Sequence, residues 1–264
     1  MRTWCLFIIE CIKHFVFTNY FFNIAKHVVL FKSNNVGHLL PLLDVNVSFW
    51  VGLIHSFLIH QVYNLKVDEM TFVFSGKKIR FGCCEFCILT GLRYASKEYI
   101  IGGSSRLFNK YGKKGKLKRH ELLEAFQQCD IPDDQVKLGV AYLVESLIFA
   151  KQPKTLVDPR ILAIVNDVDV FNKVCWGKLS WDFLVPKLKE SMIKKRDKFD
   201  GGYSLHGFYD TVSIFAMETI LELQKAGVKR IQDDGFPRIL NWSLGGKGGY
   251  STLAATIFKQ VLLI

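Results

Sequence analysis

The sequence TFVFSGKKIRFGCCEFCILTGL, residues 71–92, changes its periodicity within one short stretch. Aromatic and β-branched residues surround Ser75-Gly76 in residues 71–81, which predicts two short strands joined by a turn. Residues 84–90 are typical of a short helix that ends at Gly91. The stretch therefore predicts a small β-hairpin followed directly by a helix.

Helical patterns dominate on both sides of this hairpin. Apolar residues recur at helical spacing in five segments, at 47–62, 120–128, 136–148, 159–165 and 208–223. Asp133 and Ser180 are candidate N-caps, and Pro159 is typical of a first helical position. The predicted fold class is α+β, predominantly α-helical. We expect one compact helical domain with a small β-hairpin around residues 71–81.

The charge of the chain is concentrated in two stretches. The chain has 264 residues, half of them apolar, with 35 Lys and Arg against 24 Asp and Glu, so its formal net charge is +11. This composition is that of a globular protein and excludes a disordered or linker protein. Residues 106–119 carry +7 and residues 187–198 carry +4, so these two stretches account for the whole excess.

The first basic stretch is the best candidate binding site. Its glycines predict an exposed loop over residues 102–119, and Phe108 and Tyr111 lie among the bases, where they could stack on nucleobases. Clustered cations of this kind can neutralise phosphates of a nucleic acid or contact an acidic protein, although a merely solvated loop is the alternative. The candidate binding residues are Arg106, Lys110, Lys113, Lys114, Lys116, Lys118 and Arg119.

The residues with catalytic or metal-binding chemistry do not form a recognisable site. Cys83, Cys84 and Cys87 form half of a tetrahedral zinc pattern without a second half, which favours buried thiols over a metal. Cys175, His206 and Asp210 supply the residue types of a cysteine nucleophile but lack a protease signature. We therefore assign no catalytic residue, metal, cofactor or small-molecule substrate, and we expect no enzymatic activity from this chain.

The first 30 residues form an apolar segment of their own. Charged and polar residues interrupt it too often for a membrane span, which favours an amphipathic helix buried against the domain over an interfacial membrane helix. No signal-peptide cleavage pattern follows, and the uneven cysteines are not typical of a disulfide framework. We expect an intracellular protein, for which a nuclear location is an option, and no membrane partner.

An ordered series of short motifs resembles a known family. The motifs are GHLL at 37–40, FSGKKIRFGCCEFCILTGL at 74–92, LGVAYLVESLIF at 138–149, FNKVCWGKLSWD at 171–182, YSLHGF at 203–208 and PRILNW at 237–242. In this order they resemble a plant-specific domain of unknown function found in Mutator-like, transposon-derived proteins. In that family the domain commonly precedes an Ulp-type (SUMO-specific) cysteine protease domain.

The resemblance implies a domain but no mechanism. The domain would extend over residues 31–242, with the apolar segment 1–30 before it and a tail, 243–264, after it. Together with the charge pattern of residues 106–119, the resemblance leads us to expect a non-catalytic module of a transposon-derived plant protein that contacts nucleic acid or an acidic partner through those residues. The alternatives are an accessory domain of an Ulp-type protease whose catalytic domain is missing here, and a protein–protein interaction domain.

Overall fold

The computed structural model describes residues 35–43, 51–62, 68–74, 76–95, 105–196, 205–220, 223, 229–231 and 235–243. The helices are α1 (Val51–Ile59), α2 (Cys83–Thr90), α3 (Arg106–Tyr111), α4 (Arg119–Gln128), α5 (Pro132–Leu143), α6 (Pro159–Ile164), α7 (Val168–Lys173), α8 (Trp176–Arg196) and α9 (Asp210–Thr219). The strands are β1 (Gln61–Val62), β2 (Glu69–Phe74), β3 (Lys77–Gly82), β4 (Lys229–Arg230) and β5 (Trp242–Ser243). A π-helical turn, Val144–Ile148, continues α5, and 3-10 turns cover Gly37–Leu43 and Arg238–Asn241.

The chain divides into two compact units. The first consists of residues 1–46 and 97–175, and the second consists of residues 47–96 and 176–264. The predicted division into segments 1–30, 31–242 and 243–264 stays a prediction, since the first segment and most of the last lie outside the described residues.

The second unit is built around the predicted hairpin. Strands β1, β2 and β3 form an antiparallel sheet in that order, in which Phe74 pairs with Lys77 and Glu69 pairs with Gly82. Gly76 lies at the predicted turn and has a φ of 77°, a conformation that glycine adopts readily. Helix α2 follows immediately and ends at Gly91. The predicted fold class, α+β and predominantly helical with a small hairpin, is confirmed.

Aromatic side chains fill the core of the second unit. The Phe57 ring lies 4.7 Å from the ring of Phe72, and the Phe81 ring lies 4.3 Å from that of Phe215 and 5.0 Å from that of Trp181. The Trp181 indole N–H donates a hydrogen bond to the carbonyl of Asp68 at 2.8 Å. The strand pattern therefore buries one face against rings supplied by the helices.

A close approach of α8 to α2 lies beside this core. The Gly177 N–H donates to the carbonyl of Arg93 at 3.0 Å. A Cβ at Gly177 would lie 2.4 Å from the Cys87 Sγ, so only glycine fits there. Trp176 and Trp181 are buried within helix α8, and the predicted cap at Ser180 is wrong because this helix begins at Trp176.

The described part of the first unit is helical apart from turns and short extended segments. Helix α4 packs against α5, and α3 packs against α6. Pro159 occupies the first turn of α6, as predicted, and the Asp158 side chain caps that helix. The predicted cap at Asp133 is wrong, because α5 begins at Pro132 and Asp133 instead pairs with Lys137 at 2.8 Å.

Candidate functional site

The first half of the basic stretch is helical, which corrects the predicted exposed loop over residues 102–119. Helix α3 begins after Ser105, whose Oγ accepts a hydrogen bond from the Phe108 N–H at 3.2 Å. Leu107 is fully buried, so the helix has an inner face. Residues 101–104 lie outside the described part of the chain.

Two cations of α3 are held by one buried carboxylate. The Asp134 side chain is 2% exposed, and Arg106 binds it through two guanidinium nitrogens, one of them 3.2 Å from Oδ2. Lys110 Nζ lies 2.9 Å from the same oxygen, and the Tyr111 hydroxyl donates to it at 3.0 Å. These contacts, above all the hydrogen bonds from Arg106, lower the pKa of Asp134 far below its ordinary value. Arg106 and Lys110 therefore attach α3 to α5.

Arg119 also makes its contacts within the first unit. The residue is 8% exposed, its Nη1 donates to the Tyr142 hydroxyl at 3.1 Å, and its guanidinium lies 5.4 Å from the centre of that ring. Burial raises the pKa of Tyr142, so the phenol remains a neutral acceptor for the guanidinium. Arg119 is consequently placed inside the unit and not on the binding surface that the sequence predicted.

The remaining four lysines lie on a tight turn, which we call the basic ribbon, residues 113–118. Lys113 and Lys116 exchange both backbone hydrogen bonds, with N–H to O distances of 2.8 and 3.0 Å. Lys114 and Gly115, between them, have φ values of 51° and 68°, the pattern of a type I′ turn. Glycine suits this conformation, whereas lysine occupies it at a cost of about 1 kcal/mol.

Alternating burial shows which side of the basic ribbon faces solvent. Lys116 and Lys118 are exposed, while Leu117 and Arg119 between and after them are buried. Because side chains alternate along extended backbone, Lys116 and Lys118 share the outer face. Lys113, paired directly with Lys116, belongs to the same face. None of the four ribbon ammonium groups forms an ion pair within the described part of the chain.

Two residues that the sequence did not indicate, Lys154 and Leu156, lie in a segment beside the basic ribbon. Residues 152–157, which we call the flanking segment, pair with the end of the basic ribbon, so that Lys118 lies opposite Leu156. Lys118 and Leu156 are exposed, and so is Lys154 in the flanking segment. No local pattern could reveal this pairing, because the two segments are separated by the whole of α4 and α5.

The cysteine pattern forms a thiol pair at the start of α2. Cys84 is exposed and Cys87 is buried, while Cys83 is half-buried. A hydrogen bond with Cys87 lowers the pKa of Cys83. Among the described residues, no group of three or more His, Cys, Asp or Glu side chains could hold a metal ion. In the first unit, Cys175 is buried.

The second basic stretch is described only in part. Lys187 pairs with Glu190 at 3.2 Å, and the side chains of residues 191–200 lie outside the description.

Within the residues that the structure describes, none of the helices has the length and apolar character needed to cross a membrane.

Comparison with known families places the site in a recognised stretch of sequence. Residues 58–187 match the family model of a domain of unknown function, DUF1985. The matched stretch includes α2, the basic ribbon, the flanking segment and the two tryptophans of α8. No curated protein and no solved structure matches the chain. The expectation of a domain of unknown function is thus confirmed, while its plant, transposon and protease associations stay predictions.

Proposed function

We propose that this chain, whose central stretch matches a domain of unknown function, is a non-catalytic module that binds the phosphates of nucleic acid through the basic ribbon. The observation that carries the proposal is a set of four exposed lysines, Lys113, Lys114, Lys116 and Lys118, on one turn without ion-pair partners in the described part of the chain. Such a group of cations binds polyanions by releasing condensed counterions.

The ribbon carries features that do not favour its own stability. Lys113 and Lys116 face each other directly across the turn, and like charges in this position are unfavourable by about a few tenths of a kcal/mol. Lys114 occupies a left-handed position that glycine would fill better. Unfavourable features of this kind are typical of functional sites, which supports a ligand for the ribbon.

The number of available cations sets the expected salt dependence. With all seven bases of residues 106–119 on phosphates, log K would fall against log salt with a slope of about −6. Because Arg106, Lys110 and Arg119 are engaged within the unit, four contacts remain and the slope falls to about −3.6 for duplex DNA.

An acidic protein is the second candidate partner. It is favoured by the way Arg106 and Lys110 already bind a carboxylate, Asp134, which shows that cations of this stretch pair readily with carboxylates. In this case the four lysines of the basic ribbon would contact Asp and Glu side chains of a partner, and the module would be a protein–protein interaction domain.

A charge-reversal experiment tests the proposal. We expect Lys113→Glu with Lys116→Glu to abolish the electrophoretic shift of a DNA fragment at low salt. The matched control is Lys77→Glu with Lys78→Glu, which reverses two exposed lysines on the β2–β3 hairpin and leaves the shift intact. Equal binding by both double variants, or no shift with the unaltered chain, would contradict nucleic-acid binding.

The family resemblance extends this proposal to a biological setting. We propose that the module belongs to a transposon-derived plant protein and acts in the nucleus, where nucleic acids are abundant polyanions. An accessory role beside an Ulp-type protease domain is the alternative. A transcript that encodes the module together with a His, Asp and Cys protease domain would favour that alternative.

A further inference from the structure

We infer that the partner of the basic ribbon is duplex nucleic acid, held only through its phosphates, and that Lys154 of the flanking segment is a fifth contact. The inference rests on the proposed function and deepens it, since it names the form of the nucleic acid and adds a residue from a distant part of the chain.

Backbone pairing fixes the flanking segment against the ribbon. The Arg119 N–H donates to the Thr155 carbonyl at 2.9 Å, and the Val157 N–H donates to the Leu117 carbonyl at 2.8 Å. Lys118 and Leu156 are therefore directly opposed on the exposed side. Their proximity makes the ribbon and the flanking segment parts of one surface.

Lys154 sits on a short turn at the edge of that surface. The Thr155 N–H donates to the Gln152 carbonyl at 3.0 Å, which closes the turn around Lys154. The backbone N–H of His120 donates to the Pro153 carbonyl at 3.0 Å, so the turn is tied to the start of α4, immediately after the ribbon. Lys154 is exposed, and its ammonium group forms no ion pair within the described residues.

A buried ion pair holds the flanking segment from behind. Glu145, on the π-helical turn, is fully buried, and Lys151 Nζ donates to its Oε1 at 3.0 Å. The same oxygen accepts the Asp158 N–H at 3.2 Å, and the Glu145 carbonyl accepts the Lys151 N–H at 3.0 Å. Glu145 thus anchors the chain on both sides of residues 152–157, so that the backbone that carries Lys154 is held in place before any ligand binds.

The composition of the surface favours a duplex over a single strand. Binding of single strands relies on aromatic side chains that stack on bases, and residues 112–119 and 152–157 contain no aromatic residue. Tyr111, predicted to stack, is half-buried, and its hydroxyl is bound to Asp134. A duplex also releases more counterions per contact than a single strand. Phosphates of a duplex therefore match five lysines that offer charge alone.

The test measures binding of the full chain to a mixed-sequence duplex, to one of its strands and to poly-glutamate, over a series of salt concentrations. We expect the duplex to bind most tightly. We expect Lys154→Ala to weaken duplex binding about five- to tenfold at 0.1 M salt and to reduce the slope by about 1. The matched control is Lys173→Ala, an exposed lysine of the same unit outside this surface, which should leave both unchanged.

Each other outcome overturns a distinct part of the inference. If Lys154→Ala behaves like Lys173→Ala while the ribbon variant loses binding, the fifth contact is wrong and the proposed function stands. Equal or tighter binding of the single strand overturns the duplex assignment. Tighter binding of poly-glutamate points to an acidic protein instead. If the unaltered chain binds none of the three, the proposed function and this inference both fail.

Discussion

Two tight antiparallel turns in the described part of the chain differ in what supports them. In the β2–β3 hairpin the inner side chains of β2 are buried, and the rings of Phe72 and Phe74 each lie 4.7 Å from the ring of Phe57. In the basic ribbon only Leu117 is buried, and the outer face carries lysines. The first turn thus contributes a hydrophobic core, whereas the second contributes a charged surface held in place by backbone hydrogen bonds.

The β2–β3 hairpin and the basic ribbon also differ in the residues that they place at positive φ. The hairpin places glycine, Gly76, where the chain needs φ of 77°. The ribbon places Lys114 at φ of 51° beside Gly115, although a second glycine would be more stable. A structural turn is expected to minimise strain, and a binding turn is expected to retain a charge despite strain. The following predictions test this contrast, from the largest expected effect to the smallest.

The largest effect is expected beneath the β2–β3 hairpin. Phe81 is fully buried, and its ring contacts those of Trp181 and Phe215. Phe81→Ala should lower the free energy of unfolding by about 3–5 kcal/mol, because it leaves a cavity among large rings. Denaturant unfolding followed by circular dichroism measures this loss. The exposed Lys78→Ala on the same strand is the control, and an equal loss in both variants would refute the packing argument.

A smaller effect is expected where α3 is attached to α5. Asp134→Asn removes the charge that holds Arg106 and Lys110. It should lower the free energy of unfolding by about 1–2 kcal/mol, which is small for a charged hydrogen-bond network because both cations are half-exposed. The pKa of Asp134 is lowered in the folded state, so its contribution is complete above the ordinary value of 3.8 and is lost as the pH falls further.

The pH dependence of unfolding distinguishes this charge effect from a packing defect. The difference in unfolding free energy between the unaltered chain and Asp134→Asn should be constant from about pH 5 to 8 and should shrink below about pH 4. Asp133→Asn, which alters an exposed neighbour, is the control. A difference that stays constant down to pH 2 would show that Asp134 acts without its charge.

How far the sequence predicts this structure depends on the range of the interactions involved. The hairpin and the α2 helix were predicted because strand alternation, Gly76 and Gly91 are local signals. The prediction of an exposed loop over residues 102–119 was wrong for two reasons. Its glycines are equally suited to a tight turn, and the partner of Arg106, Asp134, lies 28 residues away along the chain. Charge in a sequence reveals which residues are cations but not which of them already have a buried partner.

The same reason explains the two residues that sequence reasoning missed. Lys154 and Leu156 lie in a segment without a basic cluster of its own, and only the pairing of Lys118 with Leu156 brings that segment to the ribbon. Ser180 was predicted as an N-cap from its residue type, but it lies within the long helix α8, which begins at Trp176.

The smallest change in the free energy of unfolding is expected in the basic ribbon, where the direction of the change tests the account. Lys114→Gly should raise the free energy of unfolding by about 1 kcal/mol, since glycine relieves the left-handed strain. It should also weaken duplex binding about five- to tenfold at 0.1 M salt, since one phosphate contact is lost. Thermal unfolding and binding measured on the same preparation give both quantities.

A second glycine substitution provides the matched control for Lys114→Gly. Lys116→Gly removes an identical charge from extended backbone, so it should weaken binding by a similar factor but lower the free energy of unfolding by about 0.5–1 kcal/mol. If both glycine variants change stability in the same direction, the strain assigned to Lys114 is refuted.

The most direct test of the central claim is the slope of log K against log salt for the unaltered chain on a duplex. With Arg106, Lys110 and Arg119 engaged by partners within the unit, the four ribbon lysines alone predict a slope of about −3.6, and Lys154 as a fifth contact brings it to about −4.5. A slope near −6 would mean that the engaged cations leave their partners to reach phosphates. A slope near zero would mean that the basic ribbon does not bind nucleic acid.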